Sequence, residues 1–124
     1  MIVNDPPMND NDPPRHLLYF ADPMCSWCWG FSPSVDAIRT ELSDSLPIRP
    51  VMGGLRPGNT EPMNEVAKLE VRRHWEHVLE ASGQPFDFDF FDRDGFVYDT
   101  EPACRAVVTV RRLAAAKALD MLKA

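Results

Sequence analysis

The sequence is poor in basic residues and cysteine, and it lacks a long apolar run. Its 13 Lys and Arg are outnumbered by 19 Asp and Glu, which gives a formal net charge of -6. Binding to nucleic acid needs clustered Lys and Arg, so this charge argues against a nucleic-acid partner. No stretch approaches the roughly 18 apolar residues of a membrane span. The apolar fraction of 44% in 124 residues is nevertheless sufficient for the core of one small domain.

The N-terminal segment lacks the features of a secretory signal. Residues 1–14 contain no Lys or Arg and no apolar core segment, and they repeat Asn-Asp-Pro-Pro at Asn4–Pro7 and Asn11–Pro14. A segment of this composition buries little apolar surface, so we expect a disordered tail over residues 1–15. Without a signal, the expected compartment is the cytoplasm.

Short apolar segments predict two strands with a helix between them. His16–Ala21 is rich in large apolar side chains and ends at a proline turn, which predicts a fully buried strand. Apolar residues spaced by three and four predict an amphipathic helix over Pro33–Leu46. Ile48–Met52 predicts a second strand, closed by Gly53-Gly54. Because Pro50 cannot donate a ladder hydrogen bond, we expect this strand to be irregular or at an edge.

The second half of the sequence is predominantly helical. Thr60-Glu61-Pro62 and Thr100-Glu101-Pro102 each place a cap residue before an acid and a proline, which predicts two helix starts. The first helix is expected to stop at Gly83, and the last to run almost to the C-terminus. Between them, Phe86–Phe91 predicts irregular chain whose rings fill the domain, followed by a turn. The expected buried faces consist of Val71, Trp75, Val78 and Leu79 in the first helix and Val107, Val110, Ala114, Ala118 and Met121 in the last.

Two of the three cysteines form the motif Cys25-Ser26-Trp27-Cys28. When a helix begins at the first cysteine of such a motif, the free N–H groups and the helix dipole stabilise its thiolate. The second cysteine lies one turn further on and can resolve a mixed disulfide. A buried strand before the motif and a helix after it give this context, and Trp27 and Trp29 add apolar surface for an extended peptide. The motif therefore predicts a redox pair with Cys25 as the attacking thiol.

Other roles for the cysteines remain open. Cys25 and Cys28 could join His74 and His77, which lie three apart on one helix, in a Cys2His2 zinc site. The Trp-Cys-Trp surroundings favour the redox pair, and the two histidines are expected to face solvent. Cys104, in the first turn of the last helix, fits a small buried hydrophobe, with a third redox thiol as the alternative.

Three segments carry a resemblance to a known family. Tyr19–Phe31, with its pattern Asp-Pro-x-Cys-x-Trp-Cys-x-Gly, resembles the active-site segment of DsbA-like thioredoxin-fold proteins, in the branch of predicted protein-disulfide isomerases near the FrnE-like proteins. Gly53-Gly54-Leu55 and Glu101–Ala106 are similar to the same branch. The resemblance spans about residue 16 to the C-terminus.

The resemblance implies an α/β fold: a thioredoxin-like half of DsbA type with an incomplete sheet, joined to a helical insertion. It implies a β-α-β half over residues 16–58 and an insertion over residues 59–124. It also implies a chain shorter than its relatives, which return to the sheet with a cis-proline segment facing the cysteines. Two strands leave open edges, so we expect exposed apolar surface and a homodimer through the sheet edge. The residue roles that it implies are nucleophile for Cys25, resolving thiol for Cys28, redox tuning for Ser26 and Trp27, and support from Gly53 and Gly54.

The function expected from motif and resemblance together is thiol–disulfide oxidoreductase or protein-disulfide isomerase. The expected partners are protein thiols and disulfides or small thiols such as glutathione, with no metal, no organic cofactor and no membrane. A glutathione-dependent isomerase or a kappa-like transferase is an alternative, although such proteins usually replace one or both cysteines. A small zinc-binding domain is the non-enzymatic alternative.

Overall fold

The protein is described by a computed structural model that covers residues 14–42 and 45–124. All but the last two residues of the expected tail over 1–15 lie outside the described residues. The first half consists of β1 (Leu17–Ala21), α1 (Ser26–Leu42) and β2 (Ile48–Met52). β1 and β2 pair in parallel, with Tyr19 opposite Pro50. The predicted order of strand, helix and strand is confirmed.

The helix α1 begins seven residues before the predicted start at Pro33, directly after Cys25. Proline lacks the N–H that would donate to the carbonyl four residues back, here that of Trp29, so the sequence favoured a start at Pro33. In the structure, the Trp29 carbonyl accepts from Ser32 Oγ at 2.8 Å and from Gln84 Nε2 at 3.3 Å. These side chains replace the missing donor, and the helix continues through the proline to Leu42.

The prediction that β1 is fully buried is wrong. Leu18 and Phe20 point to the same face of the strand, and they are 54% and 67% exposed. Tyr19, on the opposite face, contacts Phe31 of α1 with ring centroids 6.1 Å apart. One face of β1 is therefore covered by α1, while the other leaves the expected exposed apolar surface.

The strand β2 confirms the edge placement predicted from Pro50. Each strand of the described two-stranded sheet is an edge strand. Pro50 itself is buried, and its carbonyl accepts a hydrogen bond from Arg111 Nη1 at 2.6 Å. This bond ties the strand to the last part of the chain.

The first helix of the second half, α2 (Glu65–Ser82), does not begin at Thr60-Glu61-Pro62. Its cap is Asn64, whose Oδ1 accepts from the Ala67 amide at 2.9 Å. Pro62 instead forms an isolated antiparallel bridge with Val97. The predicted stop at Gly83 is confirmed, because this residue adopts the left-handed conformation with φ of 72°.

The last helix is shorter than predicted. α3 (Glu101–Leu113) begins where Thr100-Glu101-Pro102 predicted, but it ends at Ala114, whose φ and ψ are -153° and 82°. A short 3-10 turn over Ala115–Lys117 and the helix α4 (Ala118–Leu122) follow. The alanine-rich sequence favours a continuous helix, so local propensity gives no sign of this break.

The expected buried faces are confirmed in part. Val71 and Val78 of α2 are buried and Trp75 is half-buried, whereas Leu79 is exposed. In the last part of the chain Val107 and Ala118 are buried, whereas Ala114 is exposed at the break.

Seven aromatic side chains fill the second half of the chain. The predicted irregular connector contains a 3-10 helix over Phe88–Asp92, which turns its rings towards Trp75 of α2. The contacts then continue through neighbouring rings as far as Tyr98. The prediction that phenylalanine rings fill this region is confirmed. This aromatic cluster consists of Trp75, Phe86, Phe88, Phe90, Phe91, Phe96 and Tyr98.

The two halves meet where α1 crosses α2. A Cβ atom placed on Gly30 would lie 2.5 Å from Cγ1 of the fully buried Val78 and 3.2 Å from Ser82 Oγ. The absence of a side chain at Gly30 therefore allows this close approach and fixes α1 against the second half. Among the described residues, no helix is long and apolar enough to cross a membrane.

Candidate active site

Cys25 lies at the N-terminus of α1, directly after the turn that follows β1. Its carbonyl accepts the first helical hydrogen bond, from the Trp29 amide at 3.1 Å. Cys28 lies one turn further along the helix, and both thiols are free and half-buried. The sequence motif thus has the placement that thiolate chemistry requires.

The surroundings of Cys25 favour its thiolate. A hydrogen bond from the Cys28 thiol is the largest effect, and together with the amides of Cys28 and Trp27 it lowers the pKa of Cys25 to about 6. Partial burial and the negative charge of Asp22 act in the opposite direction. With this pKa, Cys25 favours the thiolate at neutral pH.

Cys28 has the opposite tendency. Its hydrogen bond to Cys25 and its partial burial raise the pKa of Cys28 well above the ordinary range. Burial, followed by the neighbouring Cys28, likewise raises the pKa of Tyr19. Cys25 is therefore ionised while Cys28 holds its proton. Thiol–disulfide exchange requires these protonation states of an attacking thiol and a resolving thiol.

Asp22 connects three segments of the chain behind the cysteines, a role that the sequence did not indicate. Its side chain is buried. Its Oδ1 accepts from the Met24 amide at 2.8 Å, and its Oδ2 accepts from the Leu55 amide at 2.8 Å. The Cys104 thiol also donates to Oδ2, at 3.3 Å. Asp22 therefore holds together the cysteine turn, the loop after β2 and the first turn of α3.

Cys104 is a buried thiol, as predicted. Burial, followed by the hydrogen bond to Asp22, raises the pKa of Cys104 to about 11. The thiol consequently holds its proton at neutral pH, which supports the structural role over the third redox thiol.

The supporting residues inferred from the resemblance lie around the same turn. The Gly53 amide donates to the Ala21 carbonyl at 2.8 Å, and Gly54 adopts a φ of 66° that suits glycine. Ser26 opens α1, and Trp27 is 50% exposed beside Cys25. The roles of these four residues remain predictions.

Trp29 makes a contact that the sequence did not indicate. Its indole Nε1 donates to the Pro85 carbonyl at 3.0 Å. The tryptophan therefore attaches the cysteine helix to the segment after α2. That Trp27 and Trp29 offer apolar surface to a substrate stays a prediction.

A second group that the sequence did not indicate lies on the other side of the cysteine turn. The Tyr98 hydroxyl donates to the Met24 carbonyl at 2.6 Å, and the Arg56 guanidinium lies 5.1 Å from the centre of the Tyr98 ring. Thr100, which is fully buried, accepts from the Arg56 amide through Oγ1 at 2.9 Å. Its own amide donates back to the Arg56 carbonyl at 3.1 Å. These residues are 30 to 75 positions from the motif, roughly, so only the fold brings them together.

A cavity of about 210 Å³ opens beside Cys28. It lies between the end of β1, α1 and the C-terminal residues, so a small molecule could approach the resolving thiol from this side. The residues that line it are Tyr19, Asp22, Pro23, Cys28, Trp29, Ser32, Val35, Asp36, Leu119, Leu122, Lys123 and Ala124.

The four residues of the alternative Cys2His2 zinc site make different contacts. His74 and His77 are both exposed on α2, whereas Cys25 and Cys28 engage one another. Within residues 14–42 and 45–124, no group of three or more His, Cys, Asp and Glu side chains is arranged to hold a metal ion.

Two solved proteins are similar to this chain over 86% of its length, and no protein-family model or curated protein matches it. One is a proposed protein disulfide isomerase from Nitrosomonas europaea, with 41% identity and a TM-score of 0.78, of which the chain covers 50%. The other is the cytosolic disulfide reductase DsbM from Pseudomonas aeruginosa, with 32% identity and a TM-score of 0.67, of which it covers 49%. DsbM has also been solved with GSH. The chain spans about half the length of these proteins, and they favour disulfide chemistry over the transferase and zinc alternatives.

Proposed function

Because the chain belongs to the DsbA-like thioredoxin-fold proteins that include disulfide isomerases and reductases, we propose that it exchanges thiols and disulfides through Cys25 and Cys28. The observation that carries this proposal is the asymmetric pair at the start of α1. Cys25 is stabilised as the thiolate, and Cys28 is held as the thiol one turn away.

In the proposed reaction the Cys25 thiolate attacks one sulfur of a substrate disulfide. A bond forms between Cys25 and that sulfur while the substrate bond breaks, and the departing thiolate takes a proton from solvent. Cys28 then loses its proton and attacks Cys25, which forms the Cys25–Cys28 disulfide and releases the second substrate thiol. The cysteine pair is oxidised by two electrons, and the substrate disulfide is reduced to two thiols.

Glutathione is the proposed small-thiol partner: two glutathione thiols reduce the Cys25–Cys28 disulfide to the dithiol and leave as oxidised glutathione. The similarity to DsbM, which is solved with GSH, supports this assignment, as does the open cavity beside Cys28. We propose the cytoplasm as the compartment because DsbM is a cytosolic reductase. The reaction as written needs no metal and no organic cofactor, since the two sulfurs carry both electrons.

Reduction of insulin by dithiothreitol or glutathione tests the proposal. Cys25→Ser should abolish the protein's acceleration of insulin precipitation, and Cys104→Ser, which removes the buried third thiol, should retain it. Full activity in Cys25→Ser would disprove the assignment.

A glutathione adduct separates the proposed partner from other reductants. In Cys28→Ser the mixed disulfide at Cys25 cannot be resolved, so oxidised glutathione should leave one glutathionyl group on Cys25, visible by mass spectrometry. No adduct at Cys25 would exclude glutathione, while activity towards insulin would still support disulfide exchange.

A further inference from the structure

We propose that Arg56 binds a carboxylate of the substrate that reacts at Cys25, which makes disulfides that carry a carboxylate the preferred substrates. This inference rests on the proposed function and names the chemistry by which the same site selects its substrate. Arg56 follows the Gly53–Leu55 loop and precedes α2.

The position of Arg56 is fixed by contacts on both its backbone and its side chain. Thr100 binds the Arg56 amide at 2.9 Å and the Arg56 carbonyl at 3.1 Å. The guanidinium lies over the Tyr98 ring at 5.1 Å, and the Tyr98 hydroxyl bonds the Met24 carbonyl at 2.6 Å. Met24 directly precedes Cys25, so a single tyrosine side chain connects the cation to the nucleophile's turn.

The charge of Arg56 is available to a ligand. Within residues 14–42 and 45–124, no carboxylate lies within ion-pair distance of its guanidinium, and the residue is exposed. Arg56 lines a cavity of about 120 Å³ together with Asn59, Glu61 and Asn64. Glu61 lies in this cavity without forming an ion pair with the arginine. Stacking on an aromatic ring leaves the N–H edge of a guanidinium free to donate to a carboxylate.

The placement suits substrate recognition better than activation of the sulfur. The groups that stabilise the Cys25 thiolate are the Cys28 thiol and two amides, whereas Tyr98 separates Arg56 from the cysteine turn. The carboxylates of glutathione are several bonds from its sulfur. When that sulfur reacts at Cys25, the carboxylates therefore lie away from Cys25, where a cation outside the cysteine turn can bind them. The protein's net charge of -6 repels such an anion, and a cation held on Tyr98, whose hydroxyl binds the cysteine turn, offsets that repulsion locally.

A series of disulfides of different charge tests the inference through the rate of a single reaction, so no steady-state assay is needed. The Cys28→Ser protein is first reduced, and formation of the mixed disulfide at Cys25 is then followed over time by mass spectrometry. The three probes are oxidised glutathione, neutral hydroxyethyl disulfide and cationic cystamine. In each case the Cys25 thiolate displaces one thiolate of the probe, so the three reactions share one mechanism and differ in charge.

Arg56→Gln should slow the reaction with oxidised glutathione by about two- to fivefold, the size expected of one partly exposed ion pair. It should leave hydroxyethyl disulfide within about twofold and should not slow cystamine, because neither has a carboxylate to lose. Arg56→Lys should restore part of the rate with glutathione, because the point charge remains. Arg93→Gln is the matched control: Arg93 also lies over an aromatic ring, that of Phe90 at 5.6 Å, and its replacement should leave all three rates unchanged.

Equal slowing of all three probes would overturn the inference, since it would mean that Arg56 supports Cys25 itself. Unchanged rates in Arg56→Gln, or equal slowing in Arg93→Gln, would overturn it as well. If Cys25 reacts with the neutral probe and Arg56 has no effect, the proposed function stands without this inference. If Cys25 reacts with none of the three, both fail.

Discussion

At the scale of single residues, the difference between Cys25 and Cys28 depends on one shared proton. Cys28 donates to the Cys25 sulfur, which lowers the pKa of Cys25 to about 6 and raises that of Cys28. Two helix amides add to this effect, while burial opposes it at Cys25. The partner thiol is thus the largest single contribution, ahead of either helix amide, and removal of the Cys28 donor should be visible in the titration of Cys25.

The pH dependence of Cys25 alkylation measures this effect. Only the thiolate reacts with iodoacetamide, so the rate should rise with pH through a midpoint near 6 in the wild-type protein. Cys28→Ala removes the main donor and should move the midpoint to higher pH, towards the ordinary value of about 8.5. Cys28→Ser keeps a hydroxyl donor and should show a smaller shift. Identical midpoints in all three proteins would show that Cys28 does not set the pKa.

Some residues of the candidate site could be predicted from the sequence, and others could not. The motif Cys25–Cys28 is local, so its chemistry follows from its spacing and from the strand and helix on either side. Asp22 could not be recognised in the same way, because its partners Leu55 and Cys104 are distant in the sequence. The role of Asp22 depends on two backbone amides and a thiol that only the fold brings together.

At the scale of elements, the early start of α1 has the greatest consequence for the site. A helix that began at Pro33 would have left the cysteines in a loop, without helix amides at Cys25. The chain tolerates proline inside α1 because Ser32 and Gln84 supply donors to the Trp29 carbonyl. Gln84 belongs to the second half of the chain, so a distant segment stabilises the helix whose amides lower the pKa of Cys25.

Other helix boundaries could be predicted only where no contact with a distant segment overrides the local capping signal. Gly83 ends α2 because the left-handed conformation suits glycine in any context. The same three residue types begin a helix at Thr100 but not at Thr60. In the Thr60 segment Pro62 pairs with Val97, and the helix begins only at the Asn64 cap. A pairing partner 35 positions away, roughly, is invisible to the rules of helix capping.

The contact between α1 and α2 gives a prediction at this scale. In Gly30→Ala the new methyl group would lie 2.5 Å from Val78 Cγ1 in a fully buried position, an overpacking cost of about 1–3 kcal/mol. Alanine brings a gain of up to about 1 kcal/mol to a helix interior, so the net destabilisation should be about 0–2 kcal/mol. Urea denaturation with a common m-value measures the difference in free energy of unfolding.

The matched test of Gly30→Ala uses Val78→Ala as the background. Shortening Val78 removes the atom that the new methyl group would meet, so Gly30→Ala should cost less there, and the double-mutant cycle should show a favourable coupling. Equal costs of Gly30→Ala in both backgrounds would show that the close approach of the helices is not responsible.

At the scale of the whole molecule, the described sheet is covered on one face only. α1 contacts the Tyr19 side of β1, while Leu18 and Phe20 lie exposed on the other side. β1 also has β2 as its single partner among the described strands. The exposed surface was predicted from a sheet of two strands, whereas the identity of the exposed side chains required the structure. The homodimer expected through the sheet edge remains a prediction.

Association through this face should depend on protein concentration, since each copy presents apolar side chains and an unpaired strand edge. We expect size-exclusion chromatography with light scattering to show a mass that rises from monomer towards dimer with loading concentration.

The double substitution Leu18→Lys and Phe20→Lys should keep the protein monomeric, because it places two like charges on the contact face. Leu113→Lys is the matched control, because Leu113 is 82% exposed at the end of α3 and is not part of the sheet, and it should leave the mass unchanged. A wild-type mass that stays monomeric at every concentration would refute the dimer, and an equal loss of association in Leu113→Lys would show that general surface charge, and not the β1 face, controls it.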